Sequence, residues 1–182
     1  GSGALGTQVY WPDVGSDILD EDRHVVIWLP PGYDENTEQR YKVIYMSDAE
    51  NLFDPRIASW GVDWGIDEAM MRGAAEGKFE PAIVVGTWST AQRGLEYSPW
   101  HDGPKYAEFL IEELMPRVNA TFRTKTGGEN TFAMGSSMGG GQIVEVVVLD
   151  QDPVHAVQVH AGSPERLVPV DVIVGEDRVI GL

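Results

Sequence analysis

Short runs of apolar, often β-branched residues recur along the chain, and polar stretches containing Gly and Pro separate them. These runs predict six strands, at residues 25–29, 43–46, 83–85, 131–134, 157–159 and 170–174. Several runs are apolar at consecutive positions instead of alternating, which is typical of a strand covered by helices on both faces. The pattern therefore predicts a buried, mostly parallel sheet.

Segments with helical spacing lie between these runs. The clearest covers residues 104–119, and its apolar positions share one face: Tyr106, Phe109, Leu110, Leu114 and Val118. Further helices are predicted at residues 63–75 and 138–150. The three adjacent valines at 146–148 are poor helix formers, so a strand stays open as the alternative for the second segment. Strands alternating with helices predict an α/β three-layer sandwich.

Length and composition narrow the classes of function. The chain has 182 residues, which fits one domain at residues 4–182, and we interpret Gly1-Ser2-Gly3 as a cloning remnant. There are 13 Lys and Arg against 29 Asp and Glu, a net charge of −16, which argues against nucleic-acid and membrane partners. The sequence has no Cys, so disulfides, thiolate zinc sites and cysteine nucleophiles are excluded. No secretory signal is recognised, and a cytoplasmic location is favoured.

The sharpest motif is G-x-S-x-G at residues 135–139, with Ser137 at its centre. An apolar strand precedes it and a predicted helix comes after it, which is the setting of a nucleophile elbow. There the glycines leave room for a tight turn that exposes the serine hydroxyl above the sheet. The competing interpretation is a Gly/Ser-rich loop that packs closely or holds an anion.

Three further blocks occur upstream of this motif, at residues 29–33, 41–54 and 93–99. Together the four blocks resemble the Putative esterase family of the α/β-hydrolases, which is similar to esterase D, enterochelin esterases, feruloyl esterases and mycolyltransferases. They occur in the family's order over roughly residues 23 to 165. The resemblance implies an α/β-hydrolase fold and a serine esterase activity.

The resemblance also implies roles for single residues. Ser137 matches the nucleophile, and the backbone N–H of Met138 matches one donor of the oxyanion hole. The family's Asp-Gly-Gln-Asn loop reads Asp-Ala-Glu-Asn at residues 48–51, so the N–H of Glu50 would be the second donor, with Asn51 beside it. A carboxylate at position 50 is unfavourable beside a developing oxyanion unless it points away.

The block at residues 93–99 shapes the pocket rim in relatives, which assigns Arg93, Glu96 and Tyr97 to substrate binding. The alternative for these side chains is an internally paired loop. Four tryptophans fall in or near the same loops and either line the pocket or belong to the core: Trp60, Trp64, Trp88 and Trp100.

A serine nucleophile needs a base, and in this fold the chain order is Ser, then an acid, then His. The turn after residues 170–174 resembles the acid-bearing turn of the family, with Asp177 as the first choice and Glu176 as the second. His160 is the favoured base because it lies just after a strand, at the end where active sites of open α/β sheets gather. His101 is the other candidate. The family's final strand, the histidine after it and the closing helix have no counterpart before Leu182.

The sequence thus predicts hydrolysis of a small-molecule carboxylic ester through an acyl-enzyme, with no metal or organic cofactor. Transfer of the acyl group to an alcohol uses the same apparatus and stays open. The rival interpretation is an incomplete scaffold that serves as a binding or assembly module. A sheet edge left uncovered would then favour a homo-oligomer.

Overall fold

The apolar runs form the strands of one sheet. The computed structural model describes residues 5–136, 138–139, 155–159 and 171–172. Within these ranges the strands are β1 (Thr7–Val14), β2 (Arg23–Leu29), β3 (Lys42–Ser47), β4 (Ala82–Thr87), β5 (Thr131–Ser136), β6 (His155–Val159) and β7 (Asp171–Val172). Their order across the sheet is β1-β2-β4-β3-β5-β6-β7.

The sheet is mixed, whereas the sequence predicted mostly parallel pairing. Strands β4, β3, β5 and β6 pair in parallel, but β1–β2, β2–β4 and β6–β7 pair antiparallel. The connection from β1 to β2 covers only residues 15–22, and a parallel crossover needs a dozen or more residues. The parallel part of the sheet is therefore its centre, and the strands that flank it, β2 and β7, run in the opposite direction.

The helices predicted to start at residues 63 and 104 begin within three residues of those positions, whereas the short helix at 93–96 was not predicted. The helices are α1 (Ile66–Ala75), α2 (Arg93–Glu96), α3 (Gly103–Glu108) and α4 (Met115–Thr121), and a π-helical segment, Phe109–Leu114, joins α3 to α4. Pro116 has no N–H to donate to the carbonyl of Glu112, which accounts for the widened turn before it. Two 3₁₀ turns, Ala49–Asn51 and Gly128–Asn130, precede α1 and β5.

Alternate residues of the central strands face two different cores. One core joins Val43, Tyr45, Ile83 and Val85 to the helical run that begins at Gly103. The other joins Val84, Met46 and Trp28 to Met70 of α1. Strand β4 is buried at every position, as a strand covered on both faces must be. This arrangement is the predicted α/β sandwich.

One strand was not predicted from the sequence, and one predicted helix lies largely beyond the described part of the chain. β1 was missed because it lies at the edge, is largely exposed and contains Pro12. The predicted helix at 138–150 lies outside the described residues, apart from 138–139, which are helical. Among the described helices, none is long and apolar enough to cross a membrane.

Candidate active site

Three central strands end at the same edge of the sheet. β3 ends at Ser47, β4 at Thr87 and β5 at Ser136, and Ser47 pairs with Thr87. The chain leaves β3 to form β4 on one side, and after β4 it crosses back to form β5 on the other side. Ligands of open α/β sheets bind at such a reversal, outside the carboxyl ends of the strands. The loops after these three strands are therefore the candidate site.

The loop after β3 turns sharply at Asp48. This residue has φ 60 and ψ 48, the left-handed conformation, and the 3₁₀ turn Ala49–Asn51 begins directly after it. The N–H of Asn51 donates to the carbonyl of Asp48 (3.0 Å), which closes the turn. The N–H groups of Ala49 and Glu50 precede that bond and have no partner within the turn. Helix-start amides of this kind are suitable donors to an anion.

The carboxylate of Glu50 is bound to the loop after β4. Its Oε1 accepts a hydrogen bond from the Ser89 hydroxyl, and its Oε2 accepts one from the Ser89 N–H (3.2 Å). The negative charge that replaces the family's Gln is thus engaged by two donors of Ser89. This contact also ties the loop after β3 to the loop after β4.

The side chain of Asn51 supports the loop rather than a ligand. Its Oδ1 accepts a hydrogen bond from the N–H of Ser59 (2.8 Å), and its carbonyl accepts one from the N–H of Trp64 (2.7 Å). Asn51 is only 8% exposed. It therefore organises the long connection between the 3₁₀ turn and α1.

Arg93 and Asp48 form a bidentate ion pair. Arg93 Nε donates to Asp48 Oδ1 (2.6 Å) and Nη2 donates to Oδ2 (2.7 Å). The carboxylate is almost completely buried, whereas about a third of the arginine side chain is exposed. The hydrogen bonds to Asp48 raise the pKa of Arg93 further above its ordinary value. The guanidinium also lies 4.9 Å from the centre of the Tyr97 ring.

Glu96 is paired inside the protein. It accepts hydrogen bonds from Arg23 Nη1 (3.0 Å) and Nη2 (2.5 Å), and from the hydroxyl of Thr90 (3.1 Å). Arg23 is completely buried. Burial lowers the pKa of this arginine, but the hydrogen bonds to Glu96 and nearby charges leave it raised overall. Glu96 therefore forms an ion pair within the protein, which was the alternative to a role in substrate binding. Arg93 is also paired internally, with Asp48.

Met138, the other predicted oxyanion donor, lies at the start of the segment after β5. Met138 is about half exposed, and Gly139 is buried against the loop after β3. A methyl group placed on Gly139 would lie 3.5 Å from Asp48 Oδ2 and 3.7 Å from Tyr97 Cε2. The loops after β3 and β5 and the segment that carries Tyr97 therefore meet around the Asp48 carboxylate.

The predicted nucleophile, base and acid lie outside the described residues: Ser137, His160, Asp177 and its alternative Glu176. His101 is exposed on the loop before α3, where its N–H donates to the carbonyl of Ser98 (3.1 Å). The described residues include no group of His, Asp and Glu that could hold a metal ion.

The four tryptophans that the sequence placed in or near the site loops divide into two pairs. Trp60 and Trp100 are 90% and 88% exposed, while Trp64 and Trp88 pack partly buried against the α1 core. From the sequence alone, all four could either line the pocket or belong to the core, because a loop sequence does not show which of its side chains face inward.

Known proteins share this arrangement of strands and loops. The model of one family, described as Putative esterase, matches residues 16–164. The chain belongs to that family. This confirms the resemblance drawn from the sequence blocks, and the matched segment contains the loops after β3, β4 and β5.

Individual relatives are more distant. An endo-1,4-beta-xylanase/feruloyl esterase from Xylanibacter ruminicola is 29% identical over 118 residues, which is 63% of this chain and 16% of that protein. An IroE-like serine hydrolase from Shewanella oneidensis superposes with a TM-score of 0.62 at 21% identity, covering 85% of this chain and 49% of that one. A ferulic acid esterase from Anaeromyces mucronatus, solved in complex with ferulic acid, gives 0.59 at 22% identity, with 85% and 58% covered. The chain thus spans about half the length of these solved relatives, and both structural matches support the α/β-hydrolase fold.

Proposed function

We propose that this protein is a serine carboxylic-ester hydrolase with Ser137 as its nucleophile. One observation carries the proposal: β5 ends at Ser136 and residues 138–139 are helical, so the G-x-S-x-G motif spans the change from strand to helix. This is the context in which that motif forms a nucleophile elbow. Membership of an esterase family supports the same reaction.

The backbone N–H groups of Glu50 and Met138 are the proposed oxyanion donors. Both belong to helix starts at the carboxyl edge of the sheet, where amide donors are not consumed by helical hydrogen bonds. The Glu50 carboxylate accepts hydrogen bonds from Ser89, which reduces its cost beside a developing negative charge.

In the proposed reaction, Ser137 Oγ bonds to the carbonyl carbon of the ester while the base, His160, takes the serine proton. The carbonyl oxygen becomes the oxyanion, which then collapses and breaks the bond to the alcohol. The alcohol leaves with the proton from the base, and the acyl group stays on Ser137. Water attacks the acyl-enzyme by the same route and releases the carboxylic acid. Asp177 is proposed to orient the base.

A small-molecule ester is the proposed substrate. The Anaeromyces mucronatus relative was solved with ferulic acid, and the curated relative carries a feruloyl esterase name, so an ester of an aromatic acid is the first substrate to test.

The test is labelling with a fluorophosphonate probe together with hydrolysis of p-nitrophenyl acetate and methyl ferulate. We expect wild type to label and to turn over ester, and Ser137→Ala to lose both, with a fall in kcat of about 10⁴-fold or more. Ser59→Ala is the matched control, because Ser59 is exposed and only its backbone N–H contacts Asn51.

The base is tested by His160→Ala against His101→Ala. Loss of turnover in the first variant alone supports the assignment, and loss in the second alone moves the role to His101. A folded wild-type protein that neither labels nor hydrolyses ester would contradict the proposed function and favour the scaffold interpretation.

A further inference from the structure

We infer that Arg93 is a positioning residue that holds both oxyanion amides in place through the Asp48 carboxylate. This inference rests on the proposed function, because it assigns the Glu50 and Met138 N–H groups to the oxyanion hole. The Asp48–Arg93 clamp is defined here as the bidentate ion pair between these two side chains.

The backbone of Asp48 is the first link between the clamp and the oxyanion hole. Asp48 has the left-handed conformation, which residues with a side chain adopt less readily than Gly. Here the carboxylate is held at both oxygens by the planar fork of Arg93. Since Glu50 comes two residues later in the same turn, the direction of its N–H depends on the conformation at Asp48.

The loop after β5 is the second link. The side of the carboxylate that carries Oδ2 lies against Gly139, and so does the ring of Tyr97. Met138 is the residue directly before this contact. One carboxylate therefore adjoins the loops that carry both proposed donors, and its position sets the distance between them.

Arg93 itself is anchored to the core. Its guanidinium lies over Tyr97, which is buried and packs edge-on against Tyr106 with ring centres 5.5 Å apart. Burial raises the pKa of Tyr97, so its hydroxyl stays neutral and its ring packs as an uncharged surface against the Arg93 guanidinium. Arg93 thus connects the Asp48 carboxylate to the core beneath α3.

Removal of the guanidinium would leave a carboxylate side chain that is only 3% exposed without its ion partner. Such a group moves toward water, and this movement shifts the turn that carries Glu50. A displacement of about 1 Å at a reacting centre costs roughly 100-fold in rate. We therefore expect Arg93→Met to lower kcat about 100-fold and to change KM by less than about threefold.

The split between kcat and KM separates positioning from direct substrate binding. If Arg93 contacted the substrate at the pocket rim, the same variant would raise KM and leave kcat close to wild type. That result would overturn the inference. Arg93→Lys keeps the charge but loses the fork, and we expect it to recover part of the lost kcat.

Arg56→Met is the matched control, because Arg56 also forms a bidentate pair, with Asp54, but does so on an exposed surface. We expect it to keep wild-type kcat and KM. Asp48→Asn is the second clamp variant. Asn tolerates the left-handed conformation and preserves the size of the side chain, so this protein is expected to fold and to lose kcat in the same sense as Arg93→Met.

Amide hydrogen exchange measured by NMR tests the clamp without reference to activity. In folded Asp48→Asn and Arg93→Lys, we expect faster exchange than in wild type at Asn51, whose N–H closes the turn onto the carbonyl of Asp48, with unchanged exchange at Val84 in the buried strand β4. Unchanged exchange at Asn51 would overturn the inference. If wild type hydrolyses no ester but the exchange result holds, the proposed function fails while the clamp stands. If wild type is active and Arg93→Met keeps its kcat, the clamp fails while the proposed function stands.

Discussion

The buried pair between Arg23 and Glu96 offers a quantitative test of how the loop after β4 is held. Arg23 is completely buried and Glu96 is 6% exposed. Glu96→Ala would leave the guanidinium in the core without the acceptor of two charged hydrogen bonds. Each such bond contributes about 1.5–3 kcal/mol, and removal of one partner of a buried ion pair costs about 3–5 kcal/mol. Both figures lead to an expected loss of about 4 kcal/mol in the free energy of unfolding.

The second half of the test removes both charges. Replacing a buried ion pair by apolar residues of similar volume is often neutral, so Arg23→Met with Glu96→Leu should cost far less than either single change. The Tyr106 ring, whose centre lies 5.2 Å from the Arg23 guanidinium, provides an apolar wall for the new methionine. If the two side chains stabilise each other, the loss in free energy of unfolding for the double variant will be much smaller than the sum of the losses for the single variants.

The assay is urea unfolding followed by tryptophan fluorescence, with the midpoint and slope fitted separately. Arg56→Ala removes an ion pair of similar geometry whose arginine side chain is 87% exposed, and it should leave the midpoint unchanged. Single-variant costs below about 1 kcal/mol, or costs that simply add in the double variant, would refute this account of the pair. Because Glu96 faces Arg23, folded Glu96→Gln is expected to keep the KM of wild type.

Three further outcomes are expected. Burial and, secondarily, the neighbouring Glu68 raise the pKa of Asp67 to about 6, so the folded state loses stability as the pH rises from about 4 through 6. Asp67→Asn should therefore stabilise the protein by about 1 kcal/mol more at pH 7.5 than at pH 4.5, a figure reduced because the side chain is partly exposed. Equal effects of the substitution at both pH values in urea unfolding would contradict this. Gly86→Ala should lower the free energy of unfolding, measured by heat or urea, by about 1–3 kcal/mol, because the added methyl group would lie 2.8 Å from the Ala49 side chain. An unchanged free energy of unfolding would mean that the turn containing Ala49 shifts to make room. Trp60→Ala and Trp100→Ala should each change the unfolding free energy by less than about 0.5 kcal/mol, since both rings are almost fully exposed, and a larger loss would mean that they contact part of the fold.

The sequence predicted the central strands well because burial on both faces leaves a continuous apolar run. The run at residues 83–85 became β4, in which every residue is buried, and residues 43–46 became its neighbour β3. The edge strand β1 lacks that signal because solvent covers one side of it. The direction of strand pairing was predicted less well, since it depends on the length of each connection as well as on hydrophobicity.

The site was predictable only as far as local motifs reach. The Asp-Ala-Glu-Asn block indicated the loop after β3, but nothing in its letters revealed that Asp48 pairs with Arg93, 45 positions away. The same is true of Glu96 and Arg23, which are 73 positions apart. A charged residue at the start of an apolar strand, such as Arg23, was the one available hint that a buried partner exists. Long-range ion pairs depend on topology, which single-residue patterns do not encode.

The strand order has a consequence for the sequence of events during folding. Strands β1 to β4 occupy adjacent places in the sheet and lie within residues 7–87, and the arginine pairs of Glu96 and Asp48 are complete once Glu96 has been synthesised. The loop after β3 can therefore reach its final form before β5, at residues 131–136, emerges from the ribosome. Pulsed hydrogen exchange during refolding checks this order: protection of Val26 and Val84 should precede protection of Ala133, and simultaneous protection would mean that the sheet forms in one cooperative step. If the order holds, the N-terminal strands act as a template on which β5, the strand that leads to the serine, docks after they have formed.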